Sequence, residues 1–151
     1  LADNRFLIVI GLDIEDYTKK SISKQHTSQK HLESWVIEGC DKAKIASDPK
    51  KISWIDSGDG GYLIFHTSYG KAVPFLETFY AQQQEYNDNA KPTLAIIVRA
   101  AVHCCDALFW KGKLGDKYAG NAINVCARIL NGMPRQYSSQ VVCSGDYVRK
   151  V

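Results

Sequence analysis

The segment RFLIVIGLD at residues 5–13 is the clearest indicator of how this chain of 151 residues folds. Its interior is a short, almost continuous apolar run rich in β-branched residues, and a charged residue stands at each end. Such a run predicts a strand that is buried on both faces, in the middle of a sheet. Asp13 therefore lies where a buried strand ends.

Composition narrows the class of protein. With 45 % hydrophobic residues, we expect residues 1–151 to form a single domain with a proper core. The net charge of +3 is spread over the chain without a basic run, so we expect no nucleic-acid partner. The apolar run is too short to cross a bilayer and no secretion leader precedes it, so we expect no membrane association.

Cysteine usage indicates the redox environment. The count is odd, two of the cysteines are adjacent, and none forms a Cys-x-x-Cys pair. This pattern favours reduced core thiols in a cytoplasmic protein over disulfides or zinc ligands. The five are Cys40, Cys104, Cys105, Cys126 and Cys143.

Hydrophobic periodicity predicts further elements after the first strand. The expected order of elements is βαββαβ, followed by an added helix and strand. Helices on one face of a mainly antiparallel sheet give a ferredoxin-like α+β sandwich. The predicted elements are a helix over 29–46 capped by Thr27 or Ser28, hairpin strands over 51–56 and 61–66, a helix over 70–85, strands over 93–106 and 109–113, a helix over 120–131 and a strand over 140–144.

Two carboxylates are expected to meet in this arrangement. Asp13 follows the central strand, and Asp59 occupies the glycine-flanked hairpin turn SGDGG at residues 57–61. Two close carboxylates repel each other unless a cation neutralises them, and oxygen ligands suit Mg²⁺ or Mn²⁺. The alternative is that Asp59 is a turn former and Asp13 an ordinary strand-end residue.

The segment after the first strand is the predicted phosphate-binding region. Backbone N–H groups over 14–18 are expected to point into the corner that Asp13 and Asp59 form, where they would hold phosphate oxygens. Gly58 lets the hairpin backbone come close to a ligand. We therefore expect substrate contacts from Asp16, Tyr17, Thr18 and Gly58.

A second polar pair lies on the predicted helix over 120–131. Asn124 and Arg128 are four residues apart, which puts both side chains on one helix face. An arginine stabilises charge that develops on a transferring phosphoryl group, and an asparagine orients a sugar. The alternative is an ordinary polar face of an amphipathic helix.

These motifs together resemble the catalytic domain of class III nucleotide cyclases. Its first motif is similar to LDIEDYT at 12–18, its second to SGD at 57–59 and its third to YAGNAINVCAR at 118–128. The strand before the third motif is similar to VRAAVH at 98–103. The resemblance covers nearly the whole chain, with three motifs in the expected order.

The resemblance implies a mechanism and a set of ligands. Asp13, Asp59 and the Ile14 carbonyl would bind two Mg²⁺ or Mn²⁺ ions per active site. Asn124 would orient the ribose and Arg128 would stabilise the transition state, while the ribose 3′-oxygen attacks the α-phosphorus and pyrophosphate leaves. It also implies a head-to-tail homodimer, in which each site combines carboxylates of one chain with the Asn/Arg helix of the other.

The expected base-reading residues depart from the family pattern. Adenylyl cyclases of this family have a Lys three residues before the hairpin Gly and an Asp or Thr three residues before the Gly of the third motif. Here Ile55 and Lys117 stand there, although a register difference of one residue would bring in Asp116. Lys117 would donate to a pyrimidine carbonyl, and Trp54 or Ile55 would fill the space that a purine needs.

This departure resembles the bacterial pyrimidine cyclases of Pycsar antiphage defence. The resemblance implies conversion of UTP or CTP, with UTP the expected substrate, to a cyclic monophosphate that signals to a separate effector. An adenylyl or guanylyl cyclase and a non-catalytic nucleotide-binding dimerisation module remain as alternatives. The family's late Lys for the terminal phosphates has no counterpart before Val151, so we expect further sequence at the C-terminus.

Overall fold

A computed structural model describes residues 2–45, 52–66, 69–134 and 140–151. It confirms the predicted α+β class. The strands are β1 (Asp3–Ile14), β2 (Ile52–Asp56), β3 (Gly60–Phe65), β4 (Val98–Gly112), β5 (Gly115–Ala119) and β6 (Val141–Cys143), and the helices are α1 (Ile22–Lys42), α2 (Ala72–Asn89), α3 (Ala122–Gly132) and α4 (Gly145–Val148).

The sheet is mainly antiparallel, with β1 at its centre. The strands run in the order β2-β3-β1-β4-β5, and β6 pairs with β4 in parallel. Residues 7–10 of β1 are fully buried, as the apolar run predicted. The register puts Asp13 opposite Gly60 on β3 and opposite Arg99 on β4, so three strands contribute to the corner where β1 ends.

Helices cover both faces of the sheet, so the expectation of helices on one face is wrong for α3. Alternate residues of β1, such as Ile8 and Ile10, belong to the core that α1 and α2 cover. The residues between them, Leu7 and Val9, pack with Cys126 of α3 on the other face. A strand that is apolar on both faces needs cover on both.

Several element boundaries differ from the predictions. Helix α1 begins at Ile22, and its N-cap is Ser21, whose hydroxyl accepts from the Lys24 N–H; Ser28 is buried inside the helix. The predicted helix end at Ala46 and the predicted strand start at Lys51 lie outside the described residues. The predicted cap, Thr27 or Ser28, lies too far along the chain, because the first two turns of α1 carry mainly polar residues.

The region between α2 and α3 also differs. Residues 92–94 form a 3₁₀ turn, and β4 then runs unbroken to Gly112, so 109–113 is not a separate strand. The short strand β5 was not predicted. Helix α3 begins at Ala122 rather than at Gly120, whose φ of 138° is outside the helical region.

Two further expectations concern the membrane and the cysteines. Within the described residues, no helix has both the length and the apolar character needed to cross a bilayer. Cys40, Cys104 and Cys126 are buried, as expected of core thiols, whereas Cys143 is exposed and Cys105 is partly exposed.

Candidate active site

Backbone packing holds Asp59 beside Asp13. The Ile14 N–H donates to the Asp59 carbonyl at 2.8 Å, which ties the hairpin turn to the end of β1. Gly60 allows this close approach, because a Cβ there would lie 1.9 Å from the Leu12 carbonyl oxygen. Gly58 has a φ of 87°, which suits glycine in the turn. The hairpin is therefore held against the strand that ends in Asp13.

The two carboxylates influence each other. Burial raises the pKa of Asp13 above its ordinary value, and the neighbouring Asp59 raises it further, while Arg99 acts in the opposite direction. Like charges at short range favour either a proton or a cation between them. The structure thus brings together the two acids that the sequence singled out.

Arg99 is part of this cluster, and the sequence analysis gave it no role. Its Nε donates to Asp13 Oδ2 at 3.0 Å, and a second guanidinium nitrogen contacts the same oxygen. A further N–H donates to the Met133 carbonyl at 3.4 Å. The signal available in the sequence was the pairing of two neighbouring antiparallel strands, which puts Arg99 directly opposite Asp13.

The fit of these residues to Mg²⁺ or Mn²⁺ depends on the oxygen donors that they offer. Among the described residues there is no group of three or more His, Cys, Asp or Glu side chains that would hold a metal by itself. Mg²⁺ is usually held by one or two carboxylates together with substrate phosphates. Asp13, Asp59 and the adjacent backbone carbonyl of Ile14 are oxygen donors of that kind, so the residues fit a metal that binds with a phosphate.

The segment after β1 differs from the expected phosphate-binding region. The Ile14 N–H is used by Asp59, and the Glu15 N–H donates to the Ile97 carbonyl at 2.8 Å. The expectation that these two N–H groups face a phosphate is therefore wrong. Asp16 adopts a left-handed conformation, with φ of 54°, and its carboxylate pairs with Lys19 at 3.6 Å.

Tyr17 and Thr18 have different surroundings. Tyr17 packs partly against the main core, and its hydroxyl accepts a hydrogen bond from Gln29 Nε2. The same Gln29 nitrogen donates to the Gly58 carbonyl at 2.8 Å. Thr18 is exposed. Tyr17 therefore supports the Asp59 turn through Gln29, while Thr18 is accessible to a ligand.

Asn124 and Arg128 project from the outer side of α3. Both are exposed, whereas Ala122, Cys126 and Leu130 of the same helix are buried against the sheet. Neither side chain makes a hydrogen bond or ion pair within the described parts of the chain. The pair lies on one helix face, as the spacing predicted, and that face is open to a second molecule.

The expected base pocket is a cavity of about 530 Å³ between β2 and β5, which Ile55, Tyr118 and Ile123 help to line. Ser53 Oγ donates to Asp116 Oδ2 at 2.9 Å and lies 2.6 Å from the Tyr118 hydroxyl. A hydrogen bond from Lys111 is the main cause that lowers the pKa of Asp116, which keeps that carboxylate ionised.

Lys117 and Trp54 both border this cavity. Lys117 borders the cavity but is exposed, and its side chain passes over Gly112. Trp54 lies over Gly61, on the sheet face that α1 covers. Strand alternation also turns Ser53 and Asp116 toward each other at this cavity, where they are hydrogen-bonded, and Ile55 lies on the cavity wall.

Comparisons with known proteins identify the fold. No family model matches the chain, and no curated protein matches it. An adenylate/guanylate cyclase/hydrolase from Silicibacter pomeroyi superposes with a TM-score of 0.75 at 16 % identity, covering 99 % of this chain and 81 % of that one. The catalytic core of a rhodopsin-guanylyl cyclase with converted specificity, in complex with ATPαS, gives 0.72 at 14 % identity, with 99 % and 83 % covered.

A third similar structure is the non-canonical dimeric guanylyl cyclase domain of the RhoGC fusion protein from the aquatic fungus Blastocladiella emersonii. It gives a TM-score of 0.65 at 14 % identity and covers 98 % of this chain and 84 % of that one. At these identities the likeness establishes the fold, which is that of class III cyclase catalytic domains.

Proposed function

We propose that this chain is a nucleotide cyclase, which converts a nucleoside triphosphate into its 3′,5′-cyclic monophosphate and pyrophosphate. The observation that supports this most is the meeting of Asp13 and Asp59 at the end of β1, on a fold shared with adenylyl and guanylyl cyclases. The exposed Asn124 and Arg128 supply the second half of the required chemistry.

We further propose that each active site is shared between two chains of a head-to-tail homodimer. Asp13 belongs to the sheet, whereas Asn124 and Arg128 lie on the side of α3 that faces away from it. An arginine on that outer side is better placed to contact a nucleotide bound to the acids of an adjacent molecule than one bound to the acids of its own chain. One of the similar structures is itself described as dimeric.

The chain's own residues would act as follows. The Asn124 amide orients the ribose so that a bond forms between the 3′-oxygen and the α-phosphorus as the bond to the leaving pyrophosphate breaks. Arg128 offsets the negative charge that develops on the α-phosphate oxygens. Asp13 and Asp59 would hold two Mg²⁺ or Mn²⁺ ions, which favour loss of the 3′-hydroxyl proton and offset the triphosphate charge.

Arg99 would bind the terminal phosphates. Without nucleotide, its guanidinium neutralises Asp13. With a divalent cation on Asp13, the Arg99 guanidinium would be available for a phosphate, with which arginine forms bidentate hydrogen bonds. This assignment supplies a cationic group where the sequence analysis found none.

We propose a pyrimidine triphosphate, UTP rather than CTP, as the substrate. Asp116 supplies an ionised acid, as a one-residue register difference allows, whereas Ser53 offers a hydroxyl where the purine-reading pair has a lysine. A carboxylate that faces N3 accepts from the uracil N3–H but repels the N3 lone pair of cytosine. The product would be a cytoplasmic signal for a separate effector in antiphage defence.

A purine cyclase is the second candidate, because the similar structures are adenylyl and guanylyl cyclases by name. The test is pyrophosphate release with Mn²⁺ and each of the four triphosphates, repeated with EDTA as the metal-free control. Turnover of UTP is the expected result. A preference for ATP or GTP would remove the pyrimidine assignment, and no turnover with any of them would indicate a non-catalytic nucleotide-binding dimerisation module.

A further inference from the structure

A second cavity lies on the sheet face opposite α3, between α1 and β2. Its volume is about 430 Å³, within the range of small-molecule sites. The walls are mainly apolar and come from α1, β2 and β3. They include Leu32, Val36, Ile37, Ile52, Trp54 and Leu63.

Two large apolar side chains in these walls are open to solvent. Ile37 is 55 % exposed and Trp54 is 38 % exposed. An aromatic ring that is partly exposed beside an apolar hollow offers a stacking surface to a flat ligand. The cavity therefore suits a small molecule with an aromatic body.

The charged side chains that line the cavity within the described ranges all have one sign. Among the described lining residues the charged ones are Glu33, Asp41 and Asp56, and none is a Lys, Arg or His. Burial raises the pKa of the Cys40 thiol to about 11, so that group contributes no charge near pH 7. A cationic ligand is attracted to this wall, whereas an anionic one is repelled.

One end of the cavity is formed by the turn that bears Asp59. Gln29, Asp56 and Gly58 line that end, and Gln29 donates to the Gly58 carbonyl at 2.8 Å. The Gly58 N–H in turn donates to Asp56 Oδ1 at 2.6 Å. A molecule in the cavity would contact the groups that hold this turn in place.

We propose that this cavity binds a small organic cation with an aromatic body, and that its occupation stabilises the Asp59 turn. The binding step is independent of nucleotide turnover. The effect on the turn rests on the proposed function, because its readout is metal binding at Asp59. The two claims therefore have separate tests.

Binding is tested by calorimetry with 1-naphthylmethylammonium as the probe, without nucleotide or metal. We expect saturable binding, with NMR shifts at the backbone amides of Ile37, Trp54 and Gly58. The matched anionic probe, 1-naphthylacetate, should bind about tenfold more weakly, since it faces three carboxylates. No saturable binding of the amine, or equal binding of the two probes, would overturn the proposal.

Charge variants test the role of the acidic wall. The double variant Glu33→Gln/Asp41→Asn changes two exposed side chains, so it should fold normally. It should weaken amine binding severalfold and bring the two probes closer in affinity. Glu77→Gln, at an exposed position on α2, is the control and should leave both affinities unchanged. Equal effects of the double variant and of the Glu77→Gln control on amine binding would contradict recognition by Glu33 and Asp41.

The link to the turn is tested by Mn²⁺ titration of the dimer without nucleotide. Saturating amine should lower the Mn²⁺ concentration that gives half-saturation, and Mn²⁺ should tighten amine binding by the same factor. Gln29→Ala should remove this effect while amine binding persists. An unchanged Mn²⁺ affinity in the presence of bound amine would disprove the link.

Discussion

Arg99 and Asp13 form an ion pair across the central strands β1 and β4, with side chains only 20 % and 16 % exposed. Two charges taken this far out of water depend on each other, since removing one partner leaves the other uncompensated. The same arginine lies beside the carboxylate that is proposed to bind a metal. If the proposed function holds, the pair links the stability of the chain to the binding of nucleotide.

Arg99→Ala should lower the free energy of unfolding by about 3 kcal/mol, because it leaves the Asp13 carboxylate without its partner. Arg99→Lys keeps the charge but loses the forked geometry of the guanidinium, so it should lower the free energy of unfolding by a smaller amount. Urea unfolding of the three proteins measures both effects. Unchanged stability of the alanine variant would show that the pair contributes nothing.

Arg99 substitutions also test its proposed phosphate contact. If Arg99 binds the terminal phosphates, Arg99→Ala should raise the KM for the triphosphate, with a smaller loss for Arg99→Lys. Measured rates over a range of substrate concentrations separate KM from kcat. A KM identical to that of the parent protein would exclude the contact.

Gly60→Ala should displace the hairpin, because its Cβ would meet the Leu12 carbonyl oxygen. We expect a loss of stability of about 1–3 kcal/mol together with a large loss of turnover. Gly132→Ala is the matched control, since a Cβ there meets nothing within 4 Å and alanine favours a helix. Thermal melts and activity assays compare Gly60→Ala with Gly132→Ala. Equal melting temperatures and equal turnover of the two variants would refute the close approach at Gly60.

Asp116→Asn should change nucleotide selectivity, because it removes the ionised acceptor that Ser53 and Lys111 hold in the proposed base pocket. The ratio of kcat/KM for UTP to that for ATP should fall about tenfold. Lys117→Ala, at the neighbouring exposed position, should leave the ratio unchanged. The reverse outcome would restore the sequence-based assignment of Lys117 to the base.

Stability should depend on pH through His66. Burial lowers its pKa to about 4 in the folded chain, from an ordinary value of 6.5, and its Nδ1 is buried without a hydrogen-bond partner among the described residues. Above pH 6.5 both states hold a neutral imidazole, so the group adds no pH dependence. Between pH 6.5 and 4 the unfolded state binds the proton more readily, so stability falls as the pH falls.

His66→Phe is the test variant, because it keeps an aromatic ring beside Phe109 and Tyr118. Its unfolding free energy should fall less between pH 6.5 and 4 than that of the parent protein. Parallel curves for the two proteins would show that His66 is not responsible.

The sequence predicted the fold class and the central strand because the apolar run of β1 is unambiguous. The prediction of helices on one face did not include α3 on the second face, although a strand that is apolar on both faces requires cover on both. Strand β5 was not predicted because its exposed and partly buried residues alternate without a strong apolar pattern.

The candidate site was predictable only in part. Asp13 and Asp59 were found because each stands at a strand end or turn, where local sequence is informative. Arg99 was missed because its role depends on the register between strands separated by 86 residues in the chain. The hydrogen bond between Ser53 and Asp116 was not predicted, because it depends on which face of each strand a side chain occupies.

Two chains are proposed to complete each other's active sites. Asp59→Ala and Arg128→Ala should each abolish turnover while light scattering shows an intact dimer. Random exchange of the two inactive variants makes half of the dimers mixed, with one whole site each, so the mixture should regain about a quarter of the parent activity. An inactive mixture, in which exchange of subunits is verified, would contradict sites shared between chains.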